Sequence, residues 1–164
     1  MNEVDRQRIA SKNLLGEGSL RALFAIPKDW VYGIPVDALW GDLDKLGHVT
    51  NSAFWRWCDD VRVQYAMDTG LTVPAPDQPS YVVVKASAEF HAPMSYGERG
   101  VMTCRTVRMG RSSLDTEHAL WLQGGKAFSA SFTIVLANQL TGRSVALPPD
   151  VRERIRALEQ LLIT

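Results

Sequence analysis

The sequence has few of the residues that build disulfide frameworks or metal centres. Its 164 residues include two cysteines, Cys58 and Cys104, and three histidines. The cysteines form no Cys-x-x-Cys pair, and the histidines are too scattered along the chain for a zinc-ligand pattern. We therefore expect both thiols to be free, in a reducing compartment, and we expect no metal or redox cofactor.

An excess of one charge and long apolar runs are also missing. Lysine plus arginine and aspartate plus glutamate number 18 each, so the summed charge offers no broad attraction to nucleic acid or to an anionic membrane. No run of about 18 apolar residues predicts a membrane span, and the mixed-charge N-terminal segment lacks the apolar region of a secretory signal. We expect a cytoplasmic protein that holds any anionic ligand through a local cluster of residues.

One long segment carries the spacing of an amphipathic helix. Its large apolar side chains recur at every third or fourth position: Phe54, Trp57, Cys58, Val61 and Tyr65. Charged residues lie between them, so the spacing predicts a helix over residues 51–68 with one buried face. Gly70 suits the left-handed position that follows a helix and predicts where this one ends.

The second half of the chain has the pattern of consecutive strands. Short turn sequences separate apolar and β-branched runs over residues 80–90, 100–109, 113–123 and 126–138, which favours antiparallel pairing. With a first strand after Pro27, the sheet has five strands, and one helix covers such a sheet only if the sheet curls around it. We predict an α+β fold in which residues 1–26 form a helical appendage and residues 27–164 a single domain with a C-terminal helix.

A dense motif precedes the long helix. The run WGDLDKLGHVTNSAFWRWCDDVR resembles the signature of the 4-hydroxybenzoyl-CoA thioesterase branch of the hotdog superfamily, Asp-x-Asp-x-x-Gly-His-Val-Asn-Asn followed by aromatic and acidic residues. The resemblance implies the hotdog fold, a curled antiparallel sheet around one long central helix. It also implies hydrolysis of an acyl-CoA thioester by a homodimer or homotetramer whose active site lies where two subunits pair edge to edge.

The resemblance assigns roles to residues of this motif. Asp44 takes the position of the catalytic carboxylate, as general base or as nucleophile, with His48 and Asn51 beside it in the catalytic group. Gly47 matches a substrate-site position, whereas Thr50 stands where the family has its first Asn. Without the motif, an Asp before a helix is ordinarily a capping residue, and His48 is equally suited to satisfying backbone groups.

Other residues are candidates for binding the CoA thioester. Arg108 and Arg111 flank a glycine and offer charge-assisted donors to phosphates, although this turn is equally typical of a solvated hairpin. Phe54 is a candidate for the acyl pocket as well as for plain core, and Tyr81 lies where the family places a backbone oxyanion donor, without the usual Gly. The substrate-binding residues are predicted to be Gly47, Phe54, Tyr81, Arg108, Arg111, Ser112 and Ser113.

Two other functions are compatible with the same fold. A hotdog enoyl-CoA hydratase requires a paired acid and histidine, and DLDKLGHV differs from the Asp-x-Asn-x-x-His arrangement of those enzymes. A non-catalytic acyl-CoA-binding module usually accompanies a DNA-binding domain, for which the N-terminal segment offers no evident recognition helix. An aryl, short or branched acyl group suits the aromatic residues equally well.

Overall fold

The computed structural model describes residues 12–16, 18–72 and 78–160. Residues 1–11 and 17 of the predicted appendage, and residues 73–77 and 161–164 of the predicted single domain, lie outside them. In chain order the elements are α1 (Ser19–Leu23), β1 (Tyr32–Asp37), a 3-10 turn (Trp40–Asp42), α2 (Asn51–Thr69), β2 (Ser80–Phe90), β3 (Arg99–Met109), β4 (Ser113–Leu122), β5 (Gly125–Ala137) and α3 (Pro149–Gln160).

The five strands form one antiparallel sheet in the order β1-β3-β4-β5-β2. Hairpins join β3 to β4 and β4 to β5, whereas β2 pairs with β5 along its whole length, from Ser80 opposite Ala137 to Phe90 opposite Phe128. The sheet curls around α2, so the predicted hotdog fold is confirmed. Among the described residues, strand β2 has a neighbour on one side only, which makes it an edge of the sheet.

Helix α2 fills the concave side of the sheet. Its buried face carries the predicted side chains, including Phe54 at 3% exposure and Val61 at 0%, and they pack against the inward-facing residues of β3, β4 and β5. Gly70 ends the helix in the left-handed conformation, with φ of 73°, as predicted. Both cysteines are buried here and free. The helix therefore has a fixed position on the sheet, and its first residue directly follows the loop that contains Asp44.

The described part of the N-terminal segment covers the outer face of the sheet. Phe24, Ile26 and Trp30 are buried against Val101 and Trp121 of β3 and β4. The rings of Trp30 and Trp121 meet edge to face at 5.9 Å between centroids, an arrangement that adds to the apolar burial. This segment thus completes a second, smaller core on the side of the sheet opposite α2.

Helix α3 places the half-buried carboxyl group of Glu159 against α2 and β3. The Oε1 atom of Glu159 accepts hydrogen bonds from the hydroxyl of Tyr65 at 2.6 Å and from the backbone N–H of Thr106 at 2.7 Å. Burial raises the pKa of Glu159 to about 7, against the opposing effect of these two hydrogen bonds and of the positive charge of Arg105. Because the folded state binds this proton more tightly than the unfolded chain, its contribution to stability is complete below pH 4.5 and is lost as the pH rises towards 7.

We expect Glu159→Gln to flatten the pH dependence of stability. Glutamine keeps a carbonyl acceptor for both hydrogen bonds but has no charge to bury, so the variant gains up to about 3 kcal/mol relative to the wild type between about pH 4.5 and about pH 8. Urea unfolding at several pH values measures the difference. Glu153→Gln on the exposed face of α3 is the matched control, and equal pH profiles for Glu159→Gln and the wild type would contradict the prediction.

Candidate functional site

The loop between β1 and α2 forms a small hairpin that holds Asp44. Leu43 and Val49 form an isolated antiparallel bridge, and inside it the backbone N–H of Asp44 donates to the carbonyl of His48 at 2.8 Å. The N–H of Val49 donates to the carbonyl of Met94 at 2.8 Å, which fastens the hairpin to the segment after β2. Asp44 therefore lies at an ordered turn, beside the start of α2.

The carboxylate of Asp44 is held by its own loop. Its Oδ1 atom accepts hydrogen bonds from the N–H of Leu46 at 2.7 Å and from that of His48 at 3.2 Å. Within the described residues, Oδ2 has no hydrogen-bond partner. The N-cap of α2 is Thr50, without a side-chain capping bond, so Asp44 does not cap the helix. One oxygen fixes the carboxylate, and the other is left for a ligand or water.

Gly47 allows the turn that places these N–H groups. Its φ of 77° lies in the left-handed region, and its N–H donates to the carbonyl of Asp44 at 3.0 Å. A Cβ atom at this position would meet no other atom within 4 Å. The requirement for glycine here is therefore conformational rather than steric.

A cavity of about 280 Å³ opens beside Asp44. The structure brings four predicted residues to its wall: Asp44, His48, Asn51 and Phe54. It adds a segment that sequence reasoning missed, Phe90 to Pro93, where β2 ends. In that segment, Nε2 of His91 is 2.8 Å from the Ser129 hydroxyl. The only signal for it in the sequence is an aromatic residue followed by His-Ala-Pro at the end of a predicted strand.

Aromatic rings close the inner side of this cavity. The ring centroids of Phe54, Phe90 and Phe128 are 5.1 to 5.5 Å apart. Phe54 and Phe128 are buried, whereas Phe90 is 47% exposed. Phe54 thus belongs to the core and to the cavity wall at once, so the two interpretations of this residue are compatible.

The remaining predicted residues lie at the other end of the sheet. Tyr81, at the beginning of β2, pairs with Leu136 of β5. The N–H of Leu136 also donates to the carbonyl of Ser112 at 2.8 Å. The turn between β3 and β4 therefore lies at the same end of the sheet, and it contains the other predicted residues: Arg108, Arg111, Ser112 and Ser113. Phe90, beside Asp44, is nine residues away along the strand, or about 30 Å. One chain therefore does not bring the two groups of predicted residues together.

The predicted phosphate-binding turn is exposed and well anchored. Arg152 of α3 donates hydrogen bonds to the carbonyls of Gly110 and Arg111, and Arg108 pairs with Asp115 at 2.5 Å. Among the described residues the side chain of Arg111 has no partner. Arg111 is therefore available to bind an anion, whereas Arg108 must first leave Asp115.

The side chain of Asp42 is buried rather than exposed. Its sequence position, two residues before Asp44, indicates a turn or surface acid, but its side chain is 7% exposed. Burial alone would raise its pKa, yet the hydrogen bonds from Arg56 and from the backbone N–H of Leu39, together with the guanidinium charge, hold that pKa below its ordinary value. The helical spacing predicts that Asp59 and Asp60 pair with Arg56 or Arg62. Arg62 does bind Asp59, whereas Arg56 binds the loop carboxylate of Asp42 at 2.7 Å.

Comparison with protein families identifies the relatives of this chain. The model of the thioesterase-like superfamily matches residues 38–155, a span that includes the Asp44 loop, α2 and the whole of strands β2 to β5. The chain belongs to this superfamily. No functionally curated protein is a significant match to the sequence.

Solved structures of thioesterases share the fold. The thioesterase superfamily protein of Jannaschia sp. CCS1 is 26% identical with a TM-score of 0.81, and the match covers 90% of this chain and 94% of that one. A thioesterase of Thermus thermophilus, complexed with coenzyme A and Zn, is 33% identical with a TM-score of 0.67 over 77% and 92% of the two chains. A Synechocystis 1,4-dihydroxy-2-naphthoyl-CoA thioesterase, with 16% identity and a TM-score of 0.69 over 77% and 96%, shares the fold alone.

Metal-binding and membrane-spanning features are absent from the part of the chain that the structure describes. No group of three or more histidine, cysteine, aspartate or glutamate side chains there is placed to hold a metal ion. None of the described helices has the length and apolarity needed to cross a membrane.

His118 is fully buried, and burial followed by the charge of Arg62 lowers its pKa to about 3, so it is a neutral core residue.

The hydrogen bonds of Asp44 predict different effects for two substitutions. Asp44→Asn keeps an oxygen that can accept from the N–H groups of Leu46 and His48, so we expect an unfolding free energy within about 0.5 kcal/mol of the wild type. Asp44→Ala leaves both donors to solvent and should cost about 1 kcal/mol. Urea denaturation of both variants measures this, and equal losses would show that the carboxylate does not organise the loop.

Proposed function

We propose that the protein hydrolyses an acyl-CoA thioester to a carboxylic acid and free CoA, with Asp44 as the general base. The observation that carries the proposal is the carboxylate of Asp44, fixed through one oxygen and open at the other. It faces an aromatic cavity beside a helix N-terminus, in a member of the thioesterase-like superfamily. The Thermus thermophilus thioesterase that resembles this chain binds coenzyme A, which supports CoA as the thiol component.

The proposed mechanism is hydrolysis by general-base catalysis. The Oδ2 atom of Asp44 takes a proton from water, whose oxygen forms a bond to the thioester carbonyl carbon. The carbonyl π electrons move to the oxygen and return as the C–S bond breaks. The departing thiolate then receives the proton from Asp44, which restores the carboxylate. Direct attack by Asp44, giving a mixed anhydride, is the alternative that the same geometry allows.

The start of α2 supplies donors for the developing oxyanion. A helix leaves its first N–H groups without the usual intrahelical partners. In α2 the N–H of Ala53 donates to the carbonyl of Thr50 at 3.0 Å, and no side chain at Thr50 caps the N–H groups before it. Their partial positive charge lies where Asn51 borders the cavity, and such preorganised donors stabilise negative charge in the transition state. We propose that this helix end supplies the oxyanion donor, since the region of Tyr81 lacks the usual Gly.

Asp44→Asn tests the role of the carboxylate. Because the amide has no basic oxygen, we expect thiol release from acyl-CoA substrates to fall at least about 100-fold in kcat, with the fold intact. Asp60, on α2, is the alternative catalytic carboxylate. It is exposed and outside the cavity wall, so Asp60→Asn should keep wild-type kcat. Full activity of Asp44→Asn would refute the assignment, and an inactive wild type on a broad acyl-CoA panel would favour the non-catalytic binding module.

We further propose a homodimer formed through the β2 edge. Strand β2 is eleven residues long, unpaired on one side, and exposes three consecutive valines, Val82, Val83 and Val84, at 41%, 43% and 58%. A long apolar edge of this kind favours pairing with another strand. If two β2 strands pair antiparallel, the beginning of one lies beside the end of the other.

Such a dimer would unite the two separated groups of predicted residues. The partner's Tyr81 would lie beside Phe90 of this chain, and the partner's Arg111 turn would lie on the same side as Asp44. The thioester would then be at Asp44 of one subunit, with the CoA phosphates at the arginines of the other. A dimer of two such dimers is compatible with this pairing.

Mixing two impaired variants tests the shared site. Arg111→Ala should raise KM about tenfold with little change in kcat, because a phosphate contact lies far from bond cleavage. In a mixed dimer of Asp44→Asn and Arg111→Ala subunits, one of the two sites carries both changes and the other carries neither. Activity at low substrate should therefore rise after subunit exchange, and no recovery despite exchange would contradict a site built from two chains.

The proposal also covers the class of acyl group and the cellular location. The cavity volume and its aromatic wall suit an aryl, short or branched acyl group. A cytoplasmic location is consistent with the two buried free thiols. Thiol release across aryl, branched and straight-chain CoA esters distinguishes the acyl classes.

A further inference from the structure

We infer that the ion pair between Asp42 and Arg56 is a clamp that positions Asp44 for catalysis. This inference rests on the proposed role of Asp44. It gives a function to the first acid of the motif and to a helix arginine that the chemistry itself does not use. Neither side chain borders the cavity beside Asp44, so both would act through the backbone of the loop.

Asp42 connects the start of the loop, the end of the loop and helix α2. Its Oδ2 accepts from the backbone N–H of Leu39 at 3.0 Å, where the loop begins, and its backbone carbonyl accepts from the N–H of Thr50 at 2.8 Å, directly before α2. Its Oδ1 accepts from Nη2 of Arg56 at 2.7 Å, in the second turn of α2. One residue thus fixes the loop to itself and to the helix.

The clamp lies at the base of the hairpin that bears Asp44. The bridge between Leu43 and Val49 begins one residue after Asp42 and ends one residue before Thr50. A rotation at this base would move the Asp44 carboxylate relative to the helix N-terminus. Because an error of about 1 Å in the placement of a reacting group can cost about 100-fold in rate, a fixed base has a direct catalytic value.

The environments of the two partners make this pair stronger than an ordinary surface pair. The Asp42 side chain is 7% exposed and Arg56 is 54% exposed, so the carboxylate is shielded while the guanidinium closes over it. Isolated pairs between exposed side chains contribute little. The pair of Arg156 with Glu153, at the same 2.7 Å and with both side chains about half or more exposed, is an ordinary pair of that kind.

Arg56→Met removes the charge and keeps an unbranched side chain. We expect kcat to fall about 10- to 100-fold with KM changed less than about twofold, because the acid is displaced while the substrate contacts persist. Arg56→Lys should recover most of kcat, since one N–H donor makes the contact with Oδ1. Arg156→Ala, the matched control, should retain wild-type kcat.

A second measurement makes the clamp testable without any substrate. In Arg56→Met the loop amides of Asp44, Gly47 and Val49 should exchange hydrogen at least about tenfold faster, while amides in the β4–β5 pairing keep their rates. Unchanged loop exchange, or an unchanged kcat for the folded variant, would overturn the clamp. If the wild type shows no Asp44-dependent hydrolysis, the proposed function fails, and the exchange rates still decide whether Arg56 holds the loop.

Discussion

Helix α2 is buried under the curled sheet, and this packing determines where the Asp44 loop lies. Phe54, Trp57 and Val61 fix the helix on β3, β4 and β5, so the helix N-terminus has one position relative to the sheet. The Asp44 loop ends at that N-terminus and is fastened to the segment after β2 through Val49 and Met94. A free carboxylate oxygen and the uncapped helix end thereby meet at one cavity as a consequence of how the core packs.

Sequence patterns predicted the framework closely because its elements depend on local periodicity. The apolar and β-branched run over residues 80–90 gives β2 with the bounds that the structure shows, and the helical spacing from Phe54 to Tyr65 gives α2. The role of Asp42 escaped the same reasoning because its partner, Arg56, is 14 residues away and the contact depends on how the intervening loop folds. His91 escaped it because a strand end has no periodicity that distinguishes a cavity wall from a turn.

The separation of the predicted site residues is the strongest structural argument for assembly. Asp44 and the Arg111 turn lie at opposite ends of an eleven-residue strand, although the proposed substrate requires both. The same strand is one of the two edges of the sheet that the described residues form, and its exposed valines favour pairing with another chain. The proposed homodimer would meet both requirements, because each subunit would supply the base for one site and the phosphate contacts for the other.

A crystal structure with a non-hydrolysable acyl-CoA analogue would test whether two subunits share one site, with Asp44 of one as the base. We expect two subunits paired through β2, with the acyl carbonyl carbon within about 3.5 Å of a carboxylate oxygen of Asp44 or of a water bound to it. The phosphates of the same analogue would contact the partner's Arg111. An analogue bound within a single subunit, or a carbonyl group distant from Asp44, would contradict the account.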